Sequence, residues 1–468
     1  MHIEFQKLHP VLPWWPWRLV LALLCGGCAA SPELRKVQEA PAVEPPVLVG
    51  AQGELSPART RAVLEVLARQ GQGSELLSRH LAVEQALSQT PLTIGNEVQL
   101  LRDGAATYRA MYEAIRDARH HINMETYIFR DDEIGHQVAE LLVERRHQGV
   151  VVNLIYDSVG SMDTPRDFFQ RLAAEGVNVL EFNPVDPTRA RGDWALTHRD
   201  HRKVLIVDGR IAITGGINVD SVYSSGSLSG SRRKPGTGQT PWRDTDIRVE
   251  GPAVAQFQKF FLGTWAKQNG PALQDGNYFP RLREPGPAIV RAIGTSPDST
   301  ESASQAALLS AIEHAERSVH ITNAYFVPDE RLLRALEGAA RAGVEVTLVL
   351  PSHSDVWPAL YAGRAKYARL LRAGVSIYER KAALLHAKTA VIDGVWSTVG
   401  STNLDRRSLV SNDELDTIVL GRAFGNQMEA MFRDDLRESE QITAERWARR
   451  SVASRLKELS AVLFENWL

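Results

Sequence analysis

Ala114 to Phe129 reads AIRDARHHINMETYIF, and Ala311 to Phe326 reads AIEHAERSVHITNAYF. Each is a helical run passing into a strand that closes on aromatic residues. An acidic turn follows in both, Asp131-Asp132-Glu133 and Asp329-Glu330, then another helix. Gly149-VVVNLIYD and Gly343-VEVTLVLP come next, apolar and β-branched at strand length, and after a second helix Gly176-VNVLEFN and Gly374-VSIYERK. Strands alternating with helices, with continuous apolar strands, predict a mostly parallel sheet with helices on its faces. One long repeat predicts two similar α/β lobes rather than a solenoid.

Length alone would allow more domains: 468 residues at ~150 per domain suggests about three. The repeat reduces the body to two lobes with terminal extensions. Hydrophobic residues at 44% and charged residues at 24% mark a globular chain. A net charge of -2 supplies no basic field, which argues against a general nucleic-acid coater. The 2 cysteines, Cys25 and Cys28, both sit near the N-terminus. The body therefore has neither a disulfide framework nor a cysteine zinc site.

Chemistry-bearing residues recur at one place in each copy. The first has His201-Arg202-Lys203-VLIV-Asp208-Gly209, then IAIT-Gly215-Gly216-Ile217-Asn218. The second has His386-Ala387-Lys388-TAVI-Asp393-Gly394, then WSTV-Gly400-Ser401-Thr402-Asn403. Residues two apart on a strand share a face, so each His is grouped with its Lys. Asp-Gly makes a tight hairpin, and the return strand brings Asn218 and Asn403 back toward that pair. Two such sets facing each other suit one tetrahedral anion. A phosphodiester fits: one His attacks phosphorus, the other protonates the departing alkoxide, and Lys and Asn neutralise developing charge. Asp208 and Asp393 also occupy turn positions where Asp is favoured for backbone reasons alone. His198 reads as solvent-facing or loop-forming.

The duplicated His-x-Lys-(x)4-Asp, each followed by Gly-[Gly/Ser]-x-Asn, resembles the phospholipase D superfamily from about residue 91 onward. Tyr127-IFRDDEIG, Trp242-Arg243-Asp244-Thr245 and Asn403-LDRRSLVSNDEL are most similar to bacterial cardiolipin synthases. The resemblance implies two α/β lobes about a pseudo-two-fold axis, with the site between them. It implies His201, Lys203, Asp208, His386, Lys388 and Asp393 as catalytic residues, His201 as nucleophile, and neither metal nor cofactor. Asn218, Asn403, Ser401 and Gly216 are expected at the phosphate. An acidic residue is expected to orient each histidine: Asp244 for His201 and Glu414 for His386. The implied activity is phosphatidyl transfer between phospholipids, with a membrane surface as partner and no nucleic acid. A hydrolytic phospholipase D and a secreted nuclease share the same catalytic set and stay open.

The expected division is a leader at 1–28, a Pro-rich tether at 29–56, helices at 57–90, lobes at 91–295 and 296–436, and an amphipathic helix at 437–468. Lys7, Arg18, the short apolar run Leu19 to Cys25 and the small residues before Cys28 describe a bacterial export signal. They resemble a lipoprotein processing site with Cys28 as the lipid attachment point, placing the protein, exported, on the inner or outer membrane. In the tail, Val452, Leu456, Leu459 and Leu463 recur at 4-3-4 spacing among Arg449, Arg450, Arg455 and Lys457. That helix suits an anionic membrane surface, or docking on the lobes.

Overall fold

The computed structural model describes residues 46–70, 80–81, 90–192, 194–224, 241–274, 276–297 and 302–465. The leader with Cys25 and Cys28, most of the tether, and residues 225–240 lie outside them. The end of the expected tether is no linker: Leu48–Gly50 is a strand paired with Leu92 and Thr93, and Leu48 is fully buried. Its apolar Val-Leu-Val makes this segment part of the core. The helix Pro57–Gln70 starts as its Ser-Pro sequence predicts, with the Ser56 hydroxyl accepting from the Arg59 amide.

Lobe one contains β1 (Leu92–Leu101), β2 (His121–Thr126), β3 (Val151–Asp157), β4 (Asn178–Phe182), β5 (Lys203–Val207), β6 (Ile211–Gly215) and β7 (Asp246–Glu250). Their order across the sheet is β1-β7-β6-β5-β2-β3-β4. Lobe two contains β8 (Ala288–Thr295), β9 (Ser318–Asn323), β10 (Glu345–Pro351), β11 (Ser376–Arg380), β12 (Lys388–Ile392), β13 (Trp396–Gly400), β14 (Asn412–Leu420) and β15 (Ser439–Ile442). Its order is β8-β14-β13-β12-β9-β10-β11-β15, the same plan with one strand added. The α/β class is as expected, but the sheets are mixed. Among the numbered strands, parallel pairing within a lobe is confined to β2-β3-β4 and β9-β10-β11, which helices connect. The other numbered strands of each lobe pair antiparallel, with the Asp-Gly turns making hairpins of β5-β6 and β12-β13.

The acidic turns of the repeat are helix caps. Asp132 accepts from the Gly135 amide at 3.0 Å, and Asp329 from the Leu332 amide at 2.9 Å. The lobes share a core rather than merely touching. Helices Val254–Lys267 and Arg422–Arg437 bring Phe257, Phe261, Met428 and Met431 against Val204 and Ile206 of lobe one and Val391 and Val399 of lobe two. Phe257 and Phe261 are fully buried. Truncating either costs about 3–5 kcal/mol, so the lobes do not separate cheaply. That rigidity fixes the spacing of groups contributed from both sides.

Candidate active site

Each histidine stands just before the first strand of its hairpin, and the opposite lobe holds its backbone. Arg199–Asp200 pairs in parallel with Asn412–Asp413, and the His201 amide donates to the Asp413 carbonyl at 2.9 Å. Trp242–Arg243 pairs in parallel with Leu384–Leu385, and the His386 amide donates to the Arg243 carbonyl at 2.7 Å. The same contact is thus made twice with the lobes exchanged. It leads each chain segment bearing an acid past the histidine of the other lobe.

This corrects the expected acid–histidine assignment. His201 Nδ1 lies 2.9 Å from Glu414 Oε2, and His386 Nδ1 lies 2.6 Å from Asp244 Oδ2. Both pairs cross between lobes, whereas within-lobe pairs were expected. A carboxylate on Nδ1 fixes the proton there and leaves Nε2 with its lone pair. Tyr223 OH, at 3.3 Å, and Lys388 Nζ, at 2.8 Å, also approach His386 Nδ1.

Both histidines line one cleft of about 240 Å³, with Asn218, Asn403, Tyr127 and Tyr325 among its walls. Tyr127 stands edge-on to His201 at 4.9 Å, and Tyr325 to His386 at 6.0 Å. Trp242 flanks His386 at 4.9 Å, and Arg407 lines the cleft while staying exposed to solvent. These side chains carry no motif of their own. The signal was available, since Tyr127, Trp242 and Arg407 lie in the phrases that flank the motifs. Asn403 Oδ1 is buried and has no hydrogen-bond partner among the described residues, while Asn218 Oδ1 accepts from the Ile128 amide at 3.1 Å.

Lys203 and Lys388 are buried behind the histidines. Lys203 Nζ donates to the His201 carbonyl at 2.5 Å, and Lys388 Nζ to the His386 carbonyl. Burial brings Lys203 down to about 7 and also lowers Lys388. Burial, then Lys203 and Lys388, hold His201 well below its usual value. Burial and Lys388 lower His386, against the opposing pull of Asp244. Burial pushes Glu414 up to about 7. Burial is the leading cause of each of these shifts, so the site disfavours charge, and an anion entering it would favour the charged form of both lysines.

Four expected site residues have other positions. Asp208 and Asp393 lie at the hairpin turns, five residues and ~16 Å along the strand from the lysines. Each adopts a left-handed conformation (φ 53° and 52°) followed by a left-handed Gly. Asp208 accepts from the amides of Arg119, His120 and His121, and Asp393 from those of Glu316, Arg317 and Ser318. They bind hairpin to neighbouring strand, far from the cleft. Asp393→Ala is expected to lower stability by about 1–3 kcal/mol by leaving amides unpaired. Its kcat should stay within about threefold, as thermal melting and steady-state assay would show; a loss beyond tenfold would restore a catalytic role.

Ser401 and Gly216 support the acids rather than lining the cleft. Ser401 Oγ donates to Glu414 Oε2 at 2.6 Å. A Cβ on Gly216 would stand 2.3 Å from Asp244 Oδ1, so only glycine admits that carboxylate. Gly216→Ala is expected to lower kcat about 10- to 100-fold, the usual effect of displacing a group that orients a ligand or catalyst. Unchanged kcat would show that Asp244 does not position His386. Of the two readings of His198 the loop one holds: it sits in the loop before Arg199, half-buried, and bridges lobes to Asp413 Oδ2 at 3.0 Å.

A family profile described as "Cardiolipin synthase, PLD-like domain" matches residues 111–226 and 308–436, covering both motif copies. The cardiolipin synthase of Halalkalibacterium halodurans is 31% identical over 412 residues, 86% of this chain and 78% of that protein. A probable cardiolipin synthase of Bacillus subtilis is 33% identical over 374 residues, 80% of this chain and 72% of that one. Among solved structures, phosphatidylserine synthase of Haemophilus influenzae superposes with a TM-score of 0.62 at 12% identity, covering 83% of this chain and 100% of that one. At that identity the likeness concerns the fold. The chain belongs to the cardiolipin synthase family of PLD-like proteins.

Proposed function

We propose that the protein is a phosphatidyltransferase that joins two phospholipids, with phosphatidylglycerol as donor and acceptor and cardiolipin and glycerol as products. The observation that carries this is two histidines, each held at Nδ1 by a carboxylate of the opposite lobe, on one cleft. His201 Nε2 attacks phosphorus, and the bond from phosphorus to the glycerol headgroup oxygen breaks. His386 gives that oxygen its proton, leaving phosphatidyl-His201 and free glycerol. His386 then takes the proton of a hydroxyl on a second phosphatidylglycerol. That oxygen attacks phosphorus, the P–N bond breaks, and His201 is restored. One phosphodiester replaces another, so the balance needs no nucleotide.

His201 suits the nucleophile because burial, then Lys203 and Lys388, favour its neutral form. Burial and Lys388 lower His386 as well, but Asp244 on its Nδ1 opposes them, and that opposing pull favours His386 as the acid. Lys203 and Lys388 balance the charge of the phosphoryl oxygens, and Asn218 and Asn403 offer amide donors at the cleft wall. The exported, lipid-anchored location rests on the leader and Cys28. No helix among the described residues is long and apolar enough to cross a membrane.

The pH dependence follows from these groups. In the free enzyme His386 must be protonated to act as acid, and burial keeps its value below the usual one. Lys203 loses its charge at about 7. Donor kcat/KM should therefore fall already below pH 7 as the medium becomes more basic. A bound phosphodiester anion raises both groups, so the matching limb of kcat should lie at higher pH. Donor kcat/KM that rises through pH 8 would contradict the assignment.

Product analysis on phosphatidylglycerol vesicles tests the function. Cardiolipin with an equivalent of glycerol is expected. Phosphatidic acid as the main product would make the protein a hydrolase.

A further inference from the structure

The helix Val452–Val462 is packed inside out. Its inward positions are Ser454, Glu458 and Ala461, with Glu465 just beyond its end. Each inward polar group is satisfied there. Glu458 receives a bidentate pair from Arg450 at 2.8 and 2.9 Å and a bond from Ser454 at 3.3 Å. Glu465 pairs with Lys366 at 2.9 Å. Ala461 is fully buried against Ala359 and Ala362 of the helix Trp357–Ala373. The apolar stripe faces away: Val452, Leu456, Leu459 and Leu463 are 72%, 61%, 67% and 77% exposed, and Phe464 is 51% exposed. An amphipathic helix on a soluble surface does the reverse.

The charges on the outward side are of one sign. Arg449, Arg455 and Lys457 are exposed, and the sole carboxylate between Arg449 and Phe464 is the inward Glu458. An apolar ridge flanked by cations is the pattern of a helix lying in the headgroup layer of an anionic bilayer. The ridge is also tied to the cleft. The helix beneath it, Trp357–Ala373, contributes Ala359 to the cleft wall, and Val356, which precedes it, lines the same wall. Val356 and Trp357 are 37% and 51% exposed, so the start of that helix presents apolar surface beside the cleft.

We propose that this outward face seats the protein on an anionic phospholipid surface and so presents the cleft to lipid headgroups. The lipid occupant rests on the proposed activity; the inverted packing does not. The test uses the full chain and a Leu456→Gln/Leu459→Gln variant, which alters exposed side chains outside the catalytic set. Two measurements are made. The first is amide hydrogen exchange of residues 452–464 with vesicles of 1:1 phosphatidylglycerol and phosphatidylcholine, with phosphatidylcholine alone, and without lipid. The second is turnover of vesicle phosphatidylglycerol against turnover of dihexanoyl-phosphatidylglycerol kept below its micelle threshold.

Protection of 452–464 is expected on the anionic vesicles and much less on phosphatidylcholine. The variant should lose at least tenfold in turnover on vesicles, through a higher apparent KM, with turnover of the soluble lipid unchanged. Any anchoring by the N-terminal residues is common to both proteins and cancels. Unchanged exchange on adding anionic vesicles, or equal vesicle turnover by the variant, would overturn the proposal. So would protein-concentration-dependent protection without lipid that the variant abolishes, since a second copy would then cover the ridge. If neither protein turns over the soluble lipid, the catalytic reading fails, and the exchange data still decide the docking face.

Discussion

Alanine at His201 or at His386 should lower phosphatidyl transfer by about 10^4-fold or more, because each half-reaction needs both a nucleophile or leaving group and an acid or base. The two variants should differ in what rescues them. His386 supplies a proton to the departing oxygen, and p-nitrophenolate needs none. Phosphatidyl-p-nitrophenol should therefore release nitrophenol with His386→Ala, and hardly at all with His201→Ala. Equal rescue of both would show that neither histidine is the nucleophile. Rescue of His201→Ala alone would reverse the assignment, which the near-identity of the two motifs does not decide by itself.

Lys388→Met should cost about 10^2- to 10^3-fold in kcat/KM, the usual loss when a preorganised charge on a transferring group is removed. Its ammonium touches His386 Nδ1 at 2.8 Å and lies 3.9 Å from Asp244 Oδ2. The same change removes a cation that lowers His386, so His386 should titrate at higher pH in the variant. The falling limb of kcat/KM should move to higher pH while the maximum drops. A merely structural lysine would lower activity without moving that limb. Kinetics across pH 5 to 9 with a soluble short-chain donor would separate the two.

The hairpins, the histidine–lysine grouping and the acidic helix caps were legible because each is a local pattern. Asp208-Gly209 and Asp393-Gly394 announce their turns, and a strand's period of two fixes which neighbours share a face. The crossed acids were not legible. Which carboxylate reaches His201 depends on two-residue ladders joining Arg199–Asp200 to Asn412–Asp413, more than 200 residues away, and no spacing encodes that. The mixed sheet was half legible: apolar strands joined by helices announce β2-β3-β4, but the antiparallel hairpins lie beside them in the same sheet. The last helix shows another limit. The 4-3-4 spacing of Val452, Leu456, Leu459 and Leu463 defines a stripe, yet it does not say which side turns inward. The partners of Glu458 and Glu465 decide that, and both lie off the stripe.

The central step of the proposed reaction is a covalent phosphatidyl group carried by His201 in a cleft built from both lobes. Intact-protein and peptide mass spectrometry of His386→Ala, quenched after mixing with phosphatidyl-p-nitrophenol, tests it most directly. Without His386 to activate an acceptor, the intermediate should accumulate, and the added mass of one phosphatidyl group should map to His201. Nitrophenol release without any adduct would contradict the account, as would an adduct on His386 in the His201→Ala protein.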